Sequence, residues 1–363
     1  MSAATYVTDV STTGLSVNET WDFSEYNVTS HPTMPPSTSI YIPYAVVMAV
    51  MSCVGVTGNL FIIGAVIVNN KLHKLPNIFI INLAIADLLV TSLVQPFAIV
   101  GVLNKEFLFQ RPGLCEMLGS VVLTCCGCSI WTIMGIAMNR YIFICHFKRY
   151  RDIYNRRTAP FILAYLWLMG FVIDAPNYFG WAGHGYDTKG QVCSYLYYKS
   201  YTYTLYVIFL GAVFPMIVVP YCYLRIYLLV RKSSKNLKQN SDVIIFNRRN
   251  KDRKTLRVVF TIWAAFMIMW LPFTIYGTFD FHGNWPRGPL MFANLFGFSN
   301  SSINSIIYGV MNKDFREGYT KVLKKILFCP RLTVHVGNVS NMSSASASNS
   351  LRNQRIELSV ISG

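Results

Sequence analysis

Between Glu116 and Arg140 the chain runs through twenty-three residues without a charge. Rising about 1.5 Å per residue, a helix from Cys115 to Arg140 covers roughly 38 Å, more than the ~30 Å hydrocarbon core of a bilayer. One end carries Cys115 and the other Asn139-Arg140-Tyr141. A pairing cysteine needs an oxidising side and arginine belongs at the cytoplasmic edge, so the segment predicts its own direction. Counting this one, seven apolar runs of spanning length follow each other: 42–69, 78–102, 115–145, 158–180, 201–230, 255–280 and 289–310. Each is near or above the ~20 residues that a spanning helix needs. The pattern predicts an all-α membrane protein, a seven-transmembrane helix bundle over 42–311 with a short amphipathic eighth helix over 312–328.

The flanking segments and loops orient the bundle. Residues 1–41 are rich in Ser and Thr and hold Asp9, Glu19, Asp22 and Glu25 but no Lys or Arg. They are expected to form a disordered extracellular tail, and with no basic start followed by an apolar run, no cleavable signal peptide is expected. Asn18-Glu19-Thr20 and Asn27-Val28-Thr29 are glycosylation sequons, consistent with export. Seven spans then place the C-terminus inside. Lys71, Lys74, Lys148, Arg149, Arg151, Arg156, Arg157, the cluster from Arg231 to Arg257, and Lys313, Arg316, Lys321, Lys324 and Lys325 fall on the cytoplasmic side. The opposite side receives Lys105, Arg111, Lys189, Lys199 and Arg287, an asymmetry that matches the positive-inside rule. The expected location is the plasma membrane, multi-pass, with the N-terminus extracellular. Residues 329–363 read as a disordered Ser-rich cytoplasmic tail, and Cys329 at its start is a candidate lipidation site.

Composition agrees: 53% of residues are hydrophobic and 13% charged, against about a quarter charged in soluble domains. A net charge of +16 in a soluble protein would suggest nucleic acid, but here the basic residues gather on one side of a membrane, so no nucleic-acid partner is expected.

Candidate chemistry is sparse. Asp87 lies deep in the second run, where an ionised carboxylate must be paired, protonated or bound to a cation. Asn59, Ser129, Asn300 and Asn304 are polar residues at similar depth in other runs, and the expectation is one buried polar cluster. Of nine cysteines, Cys115 and Cys193 are placed outside and are expected to be bridged, whereas those within spans read as packing residues. No Cys/His spacing suggests a metal site. Phosphate loop, HExxH motif and nucleophile elbow are all missing, so no enzyme is expected. A transporter is the alternative of another class, but the two halves share no repeat and Asp87 is the one deeply placed charge.

Gly58-Asn59, Leu83-Ala84-Ile85-Ala86-Asp87, Asn139-Arg140-Tyr141, Trp167, Pro215 with Tyr223, Trp270-Leu271-Pro272 and Asn304-Ser305-Ile306-Ile307-Tyr308 fall on the seven runs in order. Together, over about residues 42–328, they resemble the rhodopsin-like (class A) G-protein-coupled receptors. That family's usual Asp-Arg-Tyr is Asn-Arg-Tyr here, and its usual Asn-Pro-x-x-Tyr has Ser305 in place of proline; the melatonin receptor group is similar at both places. Gly135 through His146, Cys222-Tyr223-Leu224-Arg225-Ile226, Pro176-Asn177 and Tyr186-Asp187 also resemble that group.

The resemblance implies a switch formed by Asn139, Arg140, Tyr141, Tyr223 and Tyr308, and a sodium ion held by Asp87, Ser129 and Asn300. It implies a heterotrimeric G protein of the inhibitory (Gi/o) class as partner, with arrestin and receptor kinases acting through the Ser-rich tail. The small-molecule pocket is expected around Val122, Asn177, Trp181, His184, Gly211, Trp270 and Thr274. Where the melatonin group carries a loop glutamine, a fifth-span histidine and a sixth-span asparagine, this chain has Gly185, Gly211 and Thr274. Val122 stands where amine receptors place an aspartate, and Phe298 where opsins place a lysine. The expected ligand is therefore neutral or weakly polar, with a peptide or lipid ligand on the same scaffold as the alternative. Apart from sodium, neither cofactor nor metal is expected.

Overall fold

The computed structural model describes residues 38–236, 243–280, 282 and 284–328. Asn18, Asn27, Cys329 and the serine-rich segment lie outside them. The chain divides into two units, Met1–Val322 and Leu323–Gly363; of the second, the described part is the helical end to Phe328.

Seven long helices build the first unit: α1 (Thr38–Val68), α2 (Asn77–Leu103), α3 (Pro112–Cys145), α4 (Ala159–Asp174), α5 (from Tyr201 to Asn236), α6 (Val243–Phe279) and α7 (Arg287–Met311). A further helix, α8, spans Lys313–Leu327. α3 is apolar nearly all round, as expected of a helix buried among others, and it packs against α2, α4, α5 and α6.

Among the described residues six helices are long and apolar enough to cross a membrane, and α7 falls short. The seventh expected run does form a long helix of the bundle, but it is more polar than expected. α7 carries Asn294, Ser299, Asn300, Ser301, Ser302, Asn304 and Ser305, all buried, while Phe292, Ile306 and Val310 face outward. Its polarity is internal, where the bundle supplies partners, so the helix keeps an apolar outer face.

α2 and α5 each contain a π-turn, at Val90–Val94 and Phe209–Val213. Two residues beyond stand Pro96 and Pro215. A proline ring clashes with the carbonyl four residues back and donates no hydrogen bond; the widened turn relieves both.

Close approach joins α3 to α4. A Cβ on Gly170 would sit 2.4 Å from the Thr124 carbonyl oxygen and 2.9 Å from the Cys128 nitrogen, backbone atoms that cannot yield. Trp167, one turn earlier, donates its indole N–H to Asn82 Oδ1 at 2.9 Å, and Asn82 Nδ2 donates to Thr132 Oγ1 at 2.8 Å, tying α2, α3 and α4 together. On α8, Phe315 is buried, Gly318 abuts Ala65, and the Tyr319 hydroxyl donates to the Ser305 carbonyl at 3.0 Å.

Between α4 and α5 the chain forms a two-stranded hairpin, β1 (His184–Asp187) against β2 (Val192–Tyr195), antiparallel with Tyr186 opposite Cys193. Cys193 is bonded to Cys115 at the head of α3, as expected from the sequence. The bridge closes a loop of 78 residues and contributes on the order of 2–4 kcal/mol. Cys115→Ala and Cys193→Ala should each lower folded protein at the cell surface several-fold, and the double variant should be no worse than either; surface immunolabelling reads this out, with additive losses counting against a shared role.

Candidate functional site

Beneath the hairpin, between α3, α5, α6 and α7, lies a cavity of about 230 Å³. It runs from Val122 down two turns of α3 to Ile130, with Trp270 and Phe266 on the α6 side. Trp270 meets Phe273 edge-on at 5.8 Å. The lining contains no charged side chain, and its polar groups are those of Ser194, Tyr195, Trp270, Thr274 and Asn294. Thr274 already donates its hydroxyl to the Trp270 carbonyl at 3.0 Å, and Asn294 Nδ2 donates to the Gly190 carbonyl at 3.3 Å. At Gly211 a Cβ would meet nothing within 4 Å, so the missing side chain is extra room for ligand.

Four of the seven pocket residues expected from sequence, Val122, Gly211, Trp270 and Thr274, line this cavity; Asn177, Trp181 and His184 do not. Asn177 and His184 belong to a polar knot beside it. Asp174 Oδ1 takes His184 Nε2 at 2.6 Å and Asn177 Nδ2 at 3.3 Å, while Ser120 donates to Oδ2. Asn177 Nδ2 also donates to the Tyr203 hydroxyl at 2.6 Å, which in turn donates to the Ile173 carbonyl at 2.9 Å. These groups satisfy one another and hold the hairpin to α3, α4 and α5. Trp181 lies on the exposed rim, its indole N–H on Thr202 Oγ1 at 2.9 Å. Sequence reasoning missed Asn294 as a polar liner; its spacing of four from Phe298, which also lines the cavity, is the signal that was there to read.

The hairpin turn is latched to α6 by an ion pair between Lys189 and Asp280. Burial pushes the Asp280 carboxyl up, but the Lys189 ammonium and the Trp285 N–H outweigh it and hold the carboxyl below its ordinary range. A carboxylate whose folded pKa is depressed adds stability that is full above about pH 4 and fades as pH falls through the folded value. Acidification below pH 4 should therefore loosen the hairpin, and Asp280→Asn should remove that part of the dependence at the cost of roughly a few degrees in Tm at neutral pH. Thermal unfolding of the purified protein across this pH range measures both.

Deeper in the bundle, Asp87 Oδ2 accepts from Asn304 Nδ2 at 2.8 Å and Oδ1 from Ser129 Oγ at 3.4 Å, with the Ser301 hydroxyl in reach of the same group. Asn59 Nδ2 donates to the Gly55 and Ser301 carbonyls, both at 2.9 Å. The cluster expected from sequence is thus assembled except at Asn300, whose amide points to the Met269 sulfur at 3.9 Å. Asn300 and Asn304 are one turn apart, and the deeper of the two reaches the carboxylate. Asn304 Oδ1 is buried without a donor. Carboxylate, hydroxyl and amide oxygens form the hard donor set that suits a sodium ion.

At the end of α3 away from the disulfide, Arg140 lies close enough to Tyr223 and Tyr308 for its charge to act on both hydroxyls. Both hydroxyls are buried without a hydrogen-bond partner among the described residues. Asn139 donates to the Tyr150 hydroxyl at 3.4 Å, on the short helix Phe147–Ile153. Tyr141 pairs with His146 Nε2 at 3.0 Å. The predicted switch residues therefore fall into an inner group of Arg140, Tyr223 and Tyr308 and an outer pair that contacts the segment following α3.

A seven-helix bundle with a cavity capped by a hairpin at one end and an arginine near two tyrosines at the other defines a class. Residues 58–308 match the family model described as "7 transmembrane receptor (rhodopsin family)"; the chain belongs to this family of G-protein-coupled receptors, which are not enzymes. Within it the chain is melatonin-receptor-like. It is 31% identical over 284 residues to the human melatonin receptor type 1B, covering 76% of this chain and 77% of that one. To the Xenopus laevis melatonin receptor type 1C it is 30% identical over 297 residues, with 79% and 69% covered. The crystal structure of squid rhodopsin superimposes with a TM-score of 0.71 at 20% identity, covering 80% of this chain and 87% of that one; at that identity the likeness is of fold.

Proposed function

We propose that this receptor sits in the plasma membrane with its N-terminus outside, binds an uncharged and largely apolar small molecule in the cavity under the hairpin, and activates a heterotrimeric G protein of the inhibitory class. The cavity carries this reading: it lacks any charged liner, so a cationic amine or a carboxylate would be buried unpaired at a cost of several kcal/mol. The one-sided distribution of Lys and Arg supports the orientation. With Gly211 offering no side chain and Thr274 engaged by backbone, melatonin would lack two of the polar partners expected in the group this chain resembles. Ser194, Tyr195 and Asn294 are the other polar groups that can meet a ligand.

Asp87, Ser129 and Asn304 would hold a sodium ion, which supplies a counter-charge for the buried carboxylate. Arrestin and receptor kinases would act on the Ser-rich tail.

A library of uncharged lipophilic compounds, melatonin included, screened through inhibitory G-protein activation in transfected cells tests the reading. Hits should lose potency on Asn294→Leu. Solute movement in reconstituted vesicles without any G protein would instead favour a transporter.

A further inference from the structure

The hairpin over the cavity holds a buried acid that neither the pocket nor the switch uses. Asp187 ends β1 and is 5% exposed. Its carboxylate caps the hairpin turn, accepting from the Lys189 backbone N–H at 2.9 Å and from that of Gly190. Asp280, 2% exposed, follows the end of α6 and pairs with the Lys189 ammonium. The two carboxylates are close enough for both charges to act on the hydroxyls of Tyr197 and Tyr276.

Around Asp187 the charges do not balance. The cations that act on it are Lys189, already bonded to Asp280, and Arg287 at the start of α7. The hydroxyls that feel its charge, those of Tyr186, Tyr197, Tyr198 and Tyr276, bring no positive charge. Burial therefore outweighs these partners and pushes the Asp187 carboxyl up, opposite to Asp280. A carboxyl raised by folding favours the fold when protonated; that gain is complete below about pH 4 and is lost as pH rises through the folded value. The Asp280 pair keeps its contribution down to about pH 4. In mild acid the two effects act together.

Asp187 also borders the cavity. A Cβ on Gly190 would sit 2.5 Å from Asn294 Nδ2 and 2.7 Å from Asp187 Oδ2, so the carboxylate and an amide that lines the cavity meet at one glycine.

We infer that Asp187 is a proton-binding site of the hairpin: in mildly acidic surroundings it takes up a proton, Lys189 stays with Asp280, and the hairpin is held more firmly over the cavity. Acidity on the hairpin side of the membrane is then an input to the receptor, and a proton on Asp187 and a molecule against Asn294 change each other's affinity by the same factor. That consequence rests on the cavity being the ligand site, whereas the proton site does not.

The purified full-length receptor in nanodiscs tests this through Tm and through amide exchange of the hairpin by mass spectrometry, compared at matched pH between unmodified protein and Asp187→Asn. Asparagine keeps an oxygen for the Lys189 and Gly190 N–H groups and carries no charge. At pH 7.5 the variant should melt a few degrees above the unmodified receptor, and its hairpin amides should exchange several-fold more slowly. Both differences should shrink towards zero as pH falls to about 4. Every other titratable group is common to the two proteins, so the difference isolates Asp187. In an Asp280→Asn background Asp187 has the Lys189 ammonium to itself, and there the same substitution should lower Tm. Failure of Asp187→Asn to fold, or a Tm below that of the unmodified receptor at pH 7.5, would reduce the carboxylate to a turn cap and overturn the inference. A gain independent of pH, or one unchanged by Asp280→Asn, would overturn it too. No ligand or G protein enters these readouts, so their failure is distinguishable from a failure of the signalling reading.

Discussion

Arg140→Ala should abolish G-protein activation while leaving the receptor at the cell surface. The arginine ends an uncharged stretch of α3, with the hydroxyls of Tyr223 and Tyr308 within reach of its charge. Both hydroxyls are buried, and the Arg140 charge acts on each of them, so the arginine favours one arrangement of the inner ends of α5 and α7. Its neighbour Asn139 is neutral and turned to Tyr150. A carboxylate there would offer Arg140 a competing partner about twice as strong as a neutral amide does. Asn139→Asp should therefore lower ligand-independent activation, and Tyr223→Phe should lower it as well by removing one of the two hydroxyls. Two-state switching needs a differential of only a few kcal/mol, so single groups of this kind suffice. Surface immunolabelling alongside an inhibitory G-protein assay separates loss of signalling from loss of protein; normal activation by Arg140→Ala at matched expression would remove α3 from its place as the transmitting element.

Asp87→Asn should erase the response of the receptor to sodium. A bound cation offsets the charge of a carboxylate buried among Ser129, Asn304 and the Ser301 hydroxyl, so sodium should raise the Tm of the wild-type receptor through preferential binding to the folded state. If the ion favours one arrangement of the helices, linkage requires activation to oppose its binding by the same factor, typically 5–150-fold. Receptor-stimulated nucleotide exchange should thus fall as sodium replaces potassium at constant ionic strength, and the amide variant should be flat in both measurements. Asn300→Ala should weaken the effect less than Ser129→Ala, because Asn300 faces Met269. A sodium-dependent Tm retained by Asp87→Asn would sink the site.

Much of this was legible in the chain because it depends on local pattern. Charge asymmetry supplies the argument for orientation, since positioning in a bilayer depends on the sign of short loops. Asp87 could be grouped with Asn59, Ser129, Asn300 and Asn304 from depth alone, though not which of them it meets, and Cys115 could be paired with Cys193 from their shared side. What was not legible depends on direction. The seventh span was read as apolar by length, whereas its serines and asparagines turn inward, and a count of apolar residues carries no information about facing. Asn177 and His184 were placed in the pocket by resemblance; Asp174 draws them aside, and a knot of five side chains from four segments has no linear signature. The π-turns could have been suspected at Pro96 and Pro215, but proline marks a bend without specifying how it is absorbed. Asn294 and the Lys189–Asp280 latch join segments about a hundred residues apart, and only the folded hairpin reveals them.

The central claim is that this chain turns an event under the extracellular hairpin into nucleotide exchange on a G protein. The most direct measurement places the purified full-length receptor in nanodiscs with a purified inhibitory-class heterotrimer and follows guanine-nucleotide exchange for wild type, Asn139→Asp and Arg140→Ala. The account predicts exchange above the receptor-free baseline for wild type, less for Asn139→Asp, and the baseline itself for Arg140→Ala. Equal exchange by all three folded receptors, whether at baseline or above it, would contradict it.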